Sequence, residues 1–149
     1  MHELEINADG TANAFFVGKP AWHGLGKVLD NPPTVADAIK LAGLDWKVGL
    51  APLFTRAPEP VPAGLEVLGA RPEQVIDVSE YQATIRESDN KVLGVVGRKF
   101  VPLQNADAFQ WFEPFVDSGA VTLEAAGSLR EGKRIWVLAK LKESEGGVE

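Results

Sequence analysis

The sequence predicts an α+β domain: an antiparallel sheet built from two hairpins, one main helix packed on it, and a loop-rich N-terminal section with a short helix. Apolar and polar residues alternate over residues 75–86 and 134–141, and each segment has a second β-type segment beside it across a turn. Between them, over residues 106–118, apolar residues recur at helical spacing. Breakers such as Asp9-Gly10 divide the first third of the chain.

Length and composition define the general class of protein. The 149 residues are expected to form one domain, residues 1–149, and the hydrophobic content of 45% is ordinary for a globular protein. No run approaches the roughly 18 apolar residues of a membrane span, and the N-terminus is acidic where a signal peptide is basic. The chain contains no cysteine, which excludes disulfides, thiolate nucleophiles and zinc–thiolate sites. We therefore expect a cytoplasmic protein that does not contact a membrane.

A short helix is predicted within the N-terminal section. Thr34 is suited to cap it, and Asp37 completes a pair that resembles a capping box. Apolar residues follow at helical spacing until Gly43 supplies a stop. Residues 45–56 are then typical of a strand, and the prolines within residues 57–73 indicate a loop or linker.

The main helix and the strand before it carry two further signals. Asn105 is a suitable N-cap, whereas Pro114 lies inside the apolar pattern and should kink the helix or loosen its last part. In residues 91–97 the apolar side chains occupy both faces, which predicts an interior strand covered on two sides.

The closing hairpin pattern predicts a register. Ile135, Val137 and Ala139 form one face of its last strand. The apolar faces of the two strands coincide only if Leu129 lies opposite Lys133. That pairing requires a three-residue loop, Arg130-Glu131-Gly132, in which Gly132 adopts the left-handed conformation.

No arrangement of residues predicts a catalytic or metal site. Such a site needs a base beside a nucleophile, paired carboxylates or metal ligands. The two histidines, His2 and His23, are far apart in the sequence, and the serines have no histidine nearby. Gly24-x-Gly26-Lys27 lacks the Ser or Thr of a phosphate loop, so we interpret it as a structural turn anchored by Trp22. We expect a non-enzymatic protein without a cofactor.

The net charge of −6 is unevenly distributed along the chain. Residues 1–80 contain eleven acids and six bases, a net charge of −5, whereas residues 81–141 contain seven acids and eight bases, a net charge of +1. This distribution permits a local basic patch in the second half, although the whole protein is acidic.

The strongest candidate site is a face that binds nucleic acid. Arg134, Trp136 and Lys140 share the polar side of the last predicted strand. Single-stranded nucleic acid is bound by aromatic rings that stack on bases and by cations that follow the phosphates. The candidate contact residues are Arg86, Lys91, Arg98, Lys99, Arg130, Lys133, Arg134, Trp136 and Lys140.

A second interpretation remains open. Tryptophan is usually well buried, so Trp136 and Leu138 could instead pack under a helix with the bases only at the rim. The acidity of the chain and the free sheet edges would then favour a protein-interaction or self-assembly module. The exposure of Trp136 separates these two interpretations.

Several segments resemble the phage/plasmid-like protein family, which contains domain of unknown function 932. The similar segments are His2-Glu3-Leu4-Glu5-Ile6-Asn7, Ala21-Trp22-His23-Gly24-Leu25-Gly26, Asn31-Pro32-Pro33-Thr34, Leu93-Gly94-Val95-Val96-Gly97, Gln104-Asn105 with Ala108-Phe109, Ala126-Gly127-Ser128-Leu129 and Gly132-Lys133-Arg134-Ile135-Trp136. The family has no established catalytic residues, so the resemblance implies a mobile-element context and no mechanism. Its members are typically longer, and we expect this chain to correspond to the N-terminal half of one.

In that context the expected function is the binding of single-stranded nucleic acid during replication or recombination of a phage or plasmid in a bacterial host cell. The expected partners are single-stranded DNA, a second copy of the chain, or another phage or host protein.

Overall fold

The computed structural model describes residues 3–57 and 74–143. These residues are mostly β, with two sheets and short helices, which agrees with the predicted α+β class at that coarse level. The strands are β1 (Ala14–Val17), β2 (Lys27–Leu29), β3 (Val48–Ala57), β4 (Gln74–Arg86), β5 (Lys91–Gly97), β6 (Val121–Leu129) and β7 (Arg134–Leu141). The helices are α1 (Val35–Leu41), α2 (Asn105–Gln110) and α3 (Glu113–Asp117), and a 3-10 turn, Arg130–Gly132, joins β6 to β7. The loop or linker predicted over 57–73 lies outside the described residues except for Ala57.

The strands form two sheets instead of the single antiparallel sheet that the sequence predicts. A four-stranded sheet has the order β2-β1-β6-β7, and a three-stranded sheet has the order β3-β4-β5. All pairings are antiparallel except β1 with β2. The pairs β4–β5 and β6–β7 lie in different sheets because β6 pairs on its other side with β1, which comes from the section predicted to be loops.

The predicted register of the closing strands is wrong by one residue. Leu129 pairs with Arg134, so four residues separate the strands, although Gly132 does adopt the expected positive φ of 91°. A β-bulge at Glu124 inserts one extra residue into β6, so that the alternation of its side chains between the two faces shifts by one residue at this point. The bulge lets apolar residues of both strands share one face despite the longer connection.

The hydrophobic core lies between the four-stranded sheet and the helices. Phe15 and Leu123 from the sheet are fully buried against Ala38 of α1 and Phe109 of α2. As predicted, α1 begins at a Thr34 cap, whose Oγ1 accepts a hydrogen bond of 3.2 Å from the backbone N–H of Asp37. No helix in the described ranges is long and apolar enough to cross a membrane.

The main helix is divided into α2 and α3. Pro114 lies in the first turn of α3, where the missing N–H of proline costs no helical hydrogen bond. The helix is interrupted just before it, at Trp111 and Phe112. Gln104, not Asn105, is the N-cap residue of α2. Asn105 is buried, and its side-chain amide donates to the carbonyl oxygens of Leu44, at 3.0 Å, and Trp46, at 3.4 Å.

Strand β5 is an edge strand, which corrects the prediction of an interior strand. Val92 and Val95 are more than half exposed on the side of the three-stranded sheet that also carries Tyr81. The apolar residues on both faces of β5 therefore do not mean that both faces are covered.

Candidate nucleic-acid interface

The four-stranded sheet has one face that the helices do not cover, which we call the outer face. Ile135, Val137 and Ala139 of β7 pack against the core, so the alternate residues of β7 point to the opposite side. In a sheet, directly paired residues on neighbouring strands point to the same side, so the partners of these β7 residues also belong to the outer face. The outer face includes Ala14, Phe16, Thr122, Ala125, Gly127, Leu129, Arg134, Trp136, Leu138 and Lys140.

Aromatic rings form a row at this face. The ring centroids of Trp136 and Phe16 are 5.9 Å apart, and those of Phe16 and His23 are 5.8 Å apart. Trp22 extends the row, with its ring 5.5 Å from that of His23. Trp136 is partly buried, whereas Trp22 is 87% exposed. The indole of Trp136 thus packs against another ring on the outer face and not under any of the described helices.

Gly127 allows this packing of the rings. It lies between Ala14 of β1 and Trp136 of β7 in the strand order. A Cβ atom at Gly127 would lie 2.8 Å from the Cβ of Ala14 and 3.0 Å from Cζ2 of Trp136. The indole therefore lies across a position where only a glycine leaves enough room.

Two cations flank Trp136 on its own strand. Arg134 and Lys140 are exposed, and neither forms an ion pair with any residue in the described part of the chain. One acid lies at the Lys140 end, because Glu124 accepts a hydrogen bond of 2.8 Å from Thr122, the cross-strand neighbour of Lys140. The positive charge of the face is therefore local and modest.

Arg130, in the turn that joins β6 to β7, forms an ion pair within the protein. Its guanidinium donates two hydrogen bonds, of 3.0 and 3.1 Å, to the carboxylate of Glu3. This hydrogen bond from Arg130 lowers the pKa of Glu3. Arg130 borders the outer face, but its charge is matched by a carboxylate.

Arg86 is buried, which removes it from the predicted interface. Its guanidinium donates to the buried carboxylate of Glu5 at 2.5 Å and to both carboxylate oxygens of Asp89 at 3.0 and 2.8 Å. The hydrogen bond to Asp89 raises the pKa of Arg86, and burial opposes that effect without cancelling it. The guanidinium carbon also lies 5.4 Å from the ring centroid of Trp46. A guanidinium held this way cannot reach a phosphate.

The other predicted cations lie away from the outer face. Lys91 forms an ion pair with Glu131. Arg98 and Lys99 are exposed just past the end of β5, in the other sheet. Lys133 lines an apolar cavity between the two sheets. The structure thus places Arg134, Trp136 and Lys140 on one face, with Arg130 at its border, and the other five predicted residues lie elsewhere.

Sequence reasoning missed Phe16 and the role of the loop between β1 and β2. The side-chain Nδ1 of His23 accepts a hydrogen bond of 3.0 Å from the backbone N–H of Leu25, so His23 anchors this turn. Trp22, which the sequence predicts as the anchor, is largely exposed, and its ring contacts that of His23. The four residues of β1, Ala14–Val17, are all apolar and show no alternation, and a run this short does not stand out between turns.

Within the described ranges, no group of three or more His, Asp or Glu residues is arranged to hold a metal ion. Burial opposes ionisation of Glu5, but the hydrogen bond from Arg86 and the charge of that guanidinium favour it, and the pKa of Glu5 lies below its ordinary value. The most tightly held titratable groups therefore lie between the two sheets, away from the outer face.

These features define a small two-sheet α+β protein with an aromatic and basic sheet face. Residues 92–149 match the model of a family described as "Domain of unknown function (DUF932)", the same domain that the sequence motifs resemble. The match covers the C-terminal part of the chain, so the similar segments before residue 92 lie outside it. No curated protein and no solved structure gives a significant match to the chain.

Proposed function

We propose that this protein is a non-enzymatic module that binds single-stranded nucleic acid on the outer face of its four-stranded sheet. The observation that carries the proposal is the position of Trp136. Its indole packs beside Phe16 on a face that none of the described helices covers, between Arg134 and Lys140 on the same strand.

The chemistry of the outer face suits a flexible, unpaired strand. Bases stack on aromatic rings whatever their identity, and each stacked base contributes about 1–3 kcal/mol to binding. Arg134 and Lys140 are six residues apart on β7, a span of roughly 20 Å at the rise of a strand. Cations at that separation can contact phosphates on either side of bases stacked at Trp136.

The family context supports a role in the replication or recombination of a phage or plasmid. Single-stranded DNA is an intermediate in both processes, and a non-catalytic protein could protect or present it. The setting would be the cytoplasm of a bacterial host cell.

The test is a fluorescence-anisotropy titration of labelled oligo(dT) with the full chain at low and moderate salt. The proposal expects micromolar binding that weakens steeply as salt rises. The double variant Arg134→Gln/Lys140→Gln should reduce the slope of log K against log salt by about 1.4, or about 0.7 for each lost phosphate contact on a single strand. Absence of binding at low salt would overturn the proposal.

Three further variants sharpen this test. Trp136→Leu keeps an apolar side chain against Phe16 but removes the stacking surface, so affinity should fall. Glu124→Gln removes the acid at the Lys140 end and should strengthen binding. Lys40→Gln removes a positive charge from the distant helix α1 and should leave binding almost unchanged. Equal losses in Lys40→Gln and Lys140→Gln would show that only total charge matters.

A second candidate function is self-association through the three-stranded sheet. Tyr81, Val92 and Val95 are each at least 55% exposed on one face, next to an edge of β5 that pairs with no described strand. A second copy of the chain could cover this apolar face and extend the sheet. Sedimentation velocity over a range of concentrations tests it, because Val95→Lys should abolish any dimer that forms in this way.

A further inference from the structure

A cavity of about 560 Å³ lies between the two sheets, and it is separate from the outer face. Its wall comes from the three-stranded sheet, from α2 and the segment before it, and from the core side of β7. Apolar side chains from each of these parts line it, among them Leu93, Phe109, Phe112 and Val137. The volume falls in the range of pockets that hold small organic molecules.

Most of the surface that lines this cavity is apolar. Its two uncharged polar lining side chains already have partners within the protein. The hydroxyl of Thr84 donates to the carbonyl oxygen of Gly94, and the amide of Asn105 donates to two backbone carbonyl oxygens. The body of a molecule that fills the cavity must therefore be apolar, because a polar body would lose its hydrogen bonds to water.

Among the described residues that line the cavity, Lys133 is the only charged one. Its side chain is exposed, so it lies at the mouth, where an ammonium group keeps contact with water. Within the described residues Lys133 forms no ion pair. The neighbouring Glu131 forms its ion pair with Lys91, and the charge of Lys133 adds to the lowering of the Glu131 pKa by Lys91.

Exposed apolar residues adjoin the mouth of the cavity. Phe100 and Leu103 line it and are 46% and 71% exposed, and Val101 between them is 83% exposed. Several large exposed apolar residues at the entrance of an apolar pocket are typical of a ligand site.

We propose that the intersheet cavity binds a small organic anion, with an aromatic or aliphatic body in the apolar interior and its anionic group at Lys133. This inference does not depend on nucleic-acid binding, since the cavity and the outer face lie on opposite sides of β7.

The experiment uses two fluorescent probes with closely related bodies and different charge. Anilinonaphthalene sulfonate is an anion, and N-phenylnaphthylamine is neutral. Both should bind the full chain, since both bodies are apolar. Lys133→Gln should weaken binding of the anion roughly twofold to fivefold, the range for one exposed ion pair, and leave the neutral probe unchanged.

Two further variants locate the site. Gly94→Leu fills the cavity, and the Cβ it adds meets only the Thr84 hydroxyl oxygen, at 3.6 Å, so the strand tolerates it while both probes lose binding. Lys142→Gln, the charge-matched control, should change neither affinity, because Lys142 does not line the cavity. Circular dichroism checks that each variant is folded.

Several outcomes would overturn the inference: absence of binding of both probes, undiminished binding to folded Gly94→Leu, or an equal effect of Lys133→Gln and Lys142→Gln on the anion. If Gly94→Leu does not fold, the two lysine variants still decide the question. Failure of oligo(dT) to bind would leave these results unaffected.

Discussion

Two groups of basic residues on neighbouring parts of the fold differ in whether acidic side chains neutralise their charge. Arg86 and Lys91, from the three-stranded sheet, are paired with acids where that sheet meets the N-terminal residues and the β6–β7 turn. Arg134 and Lys140, on the outer face of the four-stranded sheet, have no ion-pair partner in the described part of the chain. The first group holds the structure together, and the second remains available to a ligand.

The difference arises from contacts between distant parts of the chain. Glu5 is 81 residues away from Arg86 in the sequence, and an isolated bridge between Leu4 and Leu129 brings it close. Gly132 allows the approach from the other side, because a Cβ atom there would lie 3.0 Å from Nη1 of Arg86. A basic residue is therefore a poor indicator of a binding site until its acidic neighbours are known.

The largest expected effect is the loss of stability in Arg86→Gln. This change leaves the buried Glu5 carboxylate without its cation, which costs about 3–5 kcal/mol for a buried pair. Urea denaturation monitored by circular dichroism measures it. Asp89→Asn serves as the comparison and should cost much less, since the Asp89 side chain is 47% exposed. Equal losses in the two variants would contradict the structural role of the Glu5–Arg86 pair.

A smaller loss is expected from Gly127→Val, which tests the geometry of the outer face. The added side chain must displace either the β1 backbone or the indole of Trp136, and overpacking of this kind costs about 1–3 kcal/mol. Thermal or urea unfolding measures the loss. Gly97→Val is the matched control, because a Cβ atom there has no neighbour within 4 Å. A stable Gly127→Val protein would place the indole elsewhere.

Much of the local structure could be predicted from the sequence. The Thr34 cap, the break at Pro114 and the alternation along β7 all follow from nearby residues, and the structure agrees with them. The register of β6 could not be predicted, because the alternating pattern alone assumes a strand without a bulge. The bulge at Glu124 restores the match of the apolar faces despite the longer turn.

The candidate site was predictable only in part. The shared face of Arg134, Trp136 and Lys140 is a property of a single strand, so the pattern is visible in the sequence. Phe16 belongs to the site because β1 pairs with β6, and Arg86 does not belong to it because its guanidinium contacts Glu5. Both events depend on contacts across more than 80 residues of chain, which local patterns do not encode.

Acid should weaken the pairing of Glu5 before it affects the outer face. The pKa of Glu5 lies below its ordinary value of 4.5, so the folded state favours the ionised carboxylate. The stability gained in this way is present above pH 4.5 and is lost as the pH falls through the lower pKa of the folded state. Urea unfolding between neutral and acid pH should therefore show a shallower decline for Glu5→Gln than for the natural chain. Parallel declines would contradict the linkage.

The smallest effect on stability is expected for the cations of the outer face. Arg134→Gln and Lys140→Gln should each change the free energy of unfolding by less than about 0.5 kcal/mol, because neither residue has an ion pair to lose. The same unfolding assay applies. A loss close to that of Arg86→Gln would show that these cations are structural too and would remove the contrast between the two groups.

The central claim is most directly tested by a two-dimensional amide NMR spectrum of the full chain, recorded while oligo(dT) is added. Signals from the Trp136 indole N–H and from the backbone of Phe16 and Arg134 should shift progressively, while those of the three-stranded sheet remain in place. A spectrum that does not change, or shifts confined to Arg98 and Lys99, would contradict binding at the outer face.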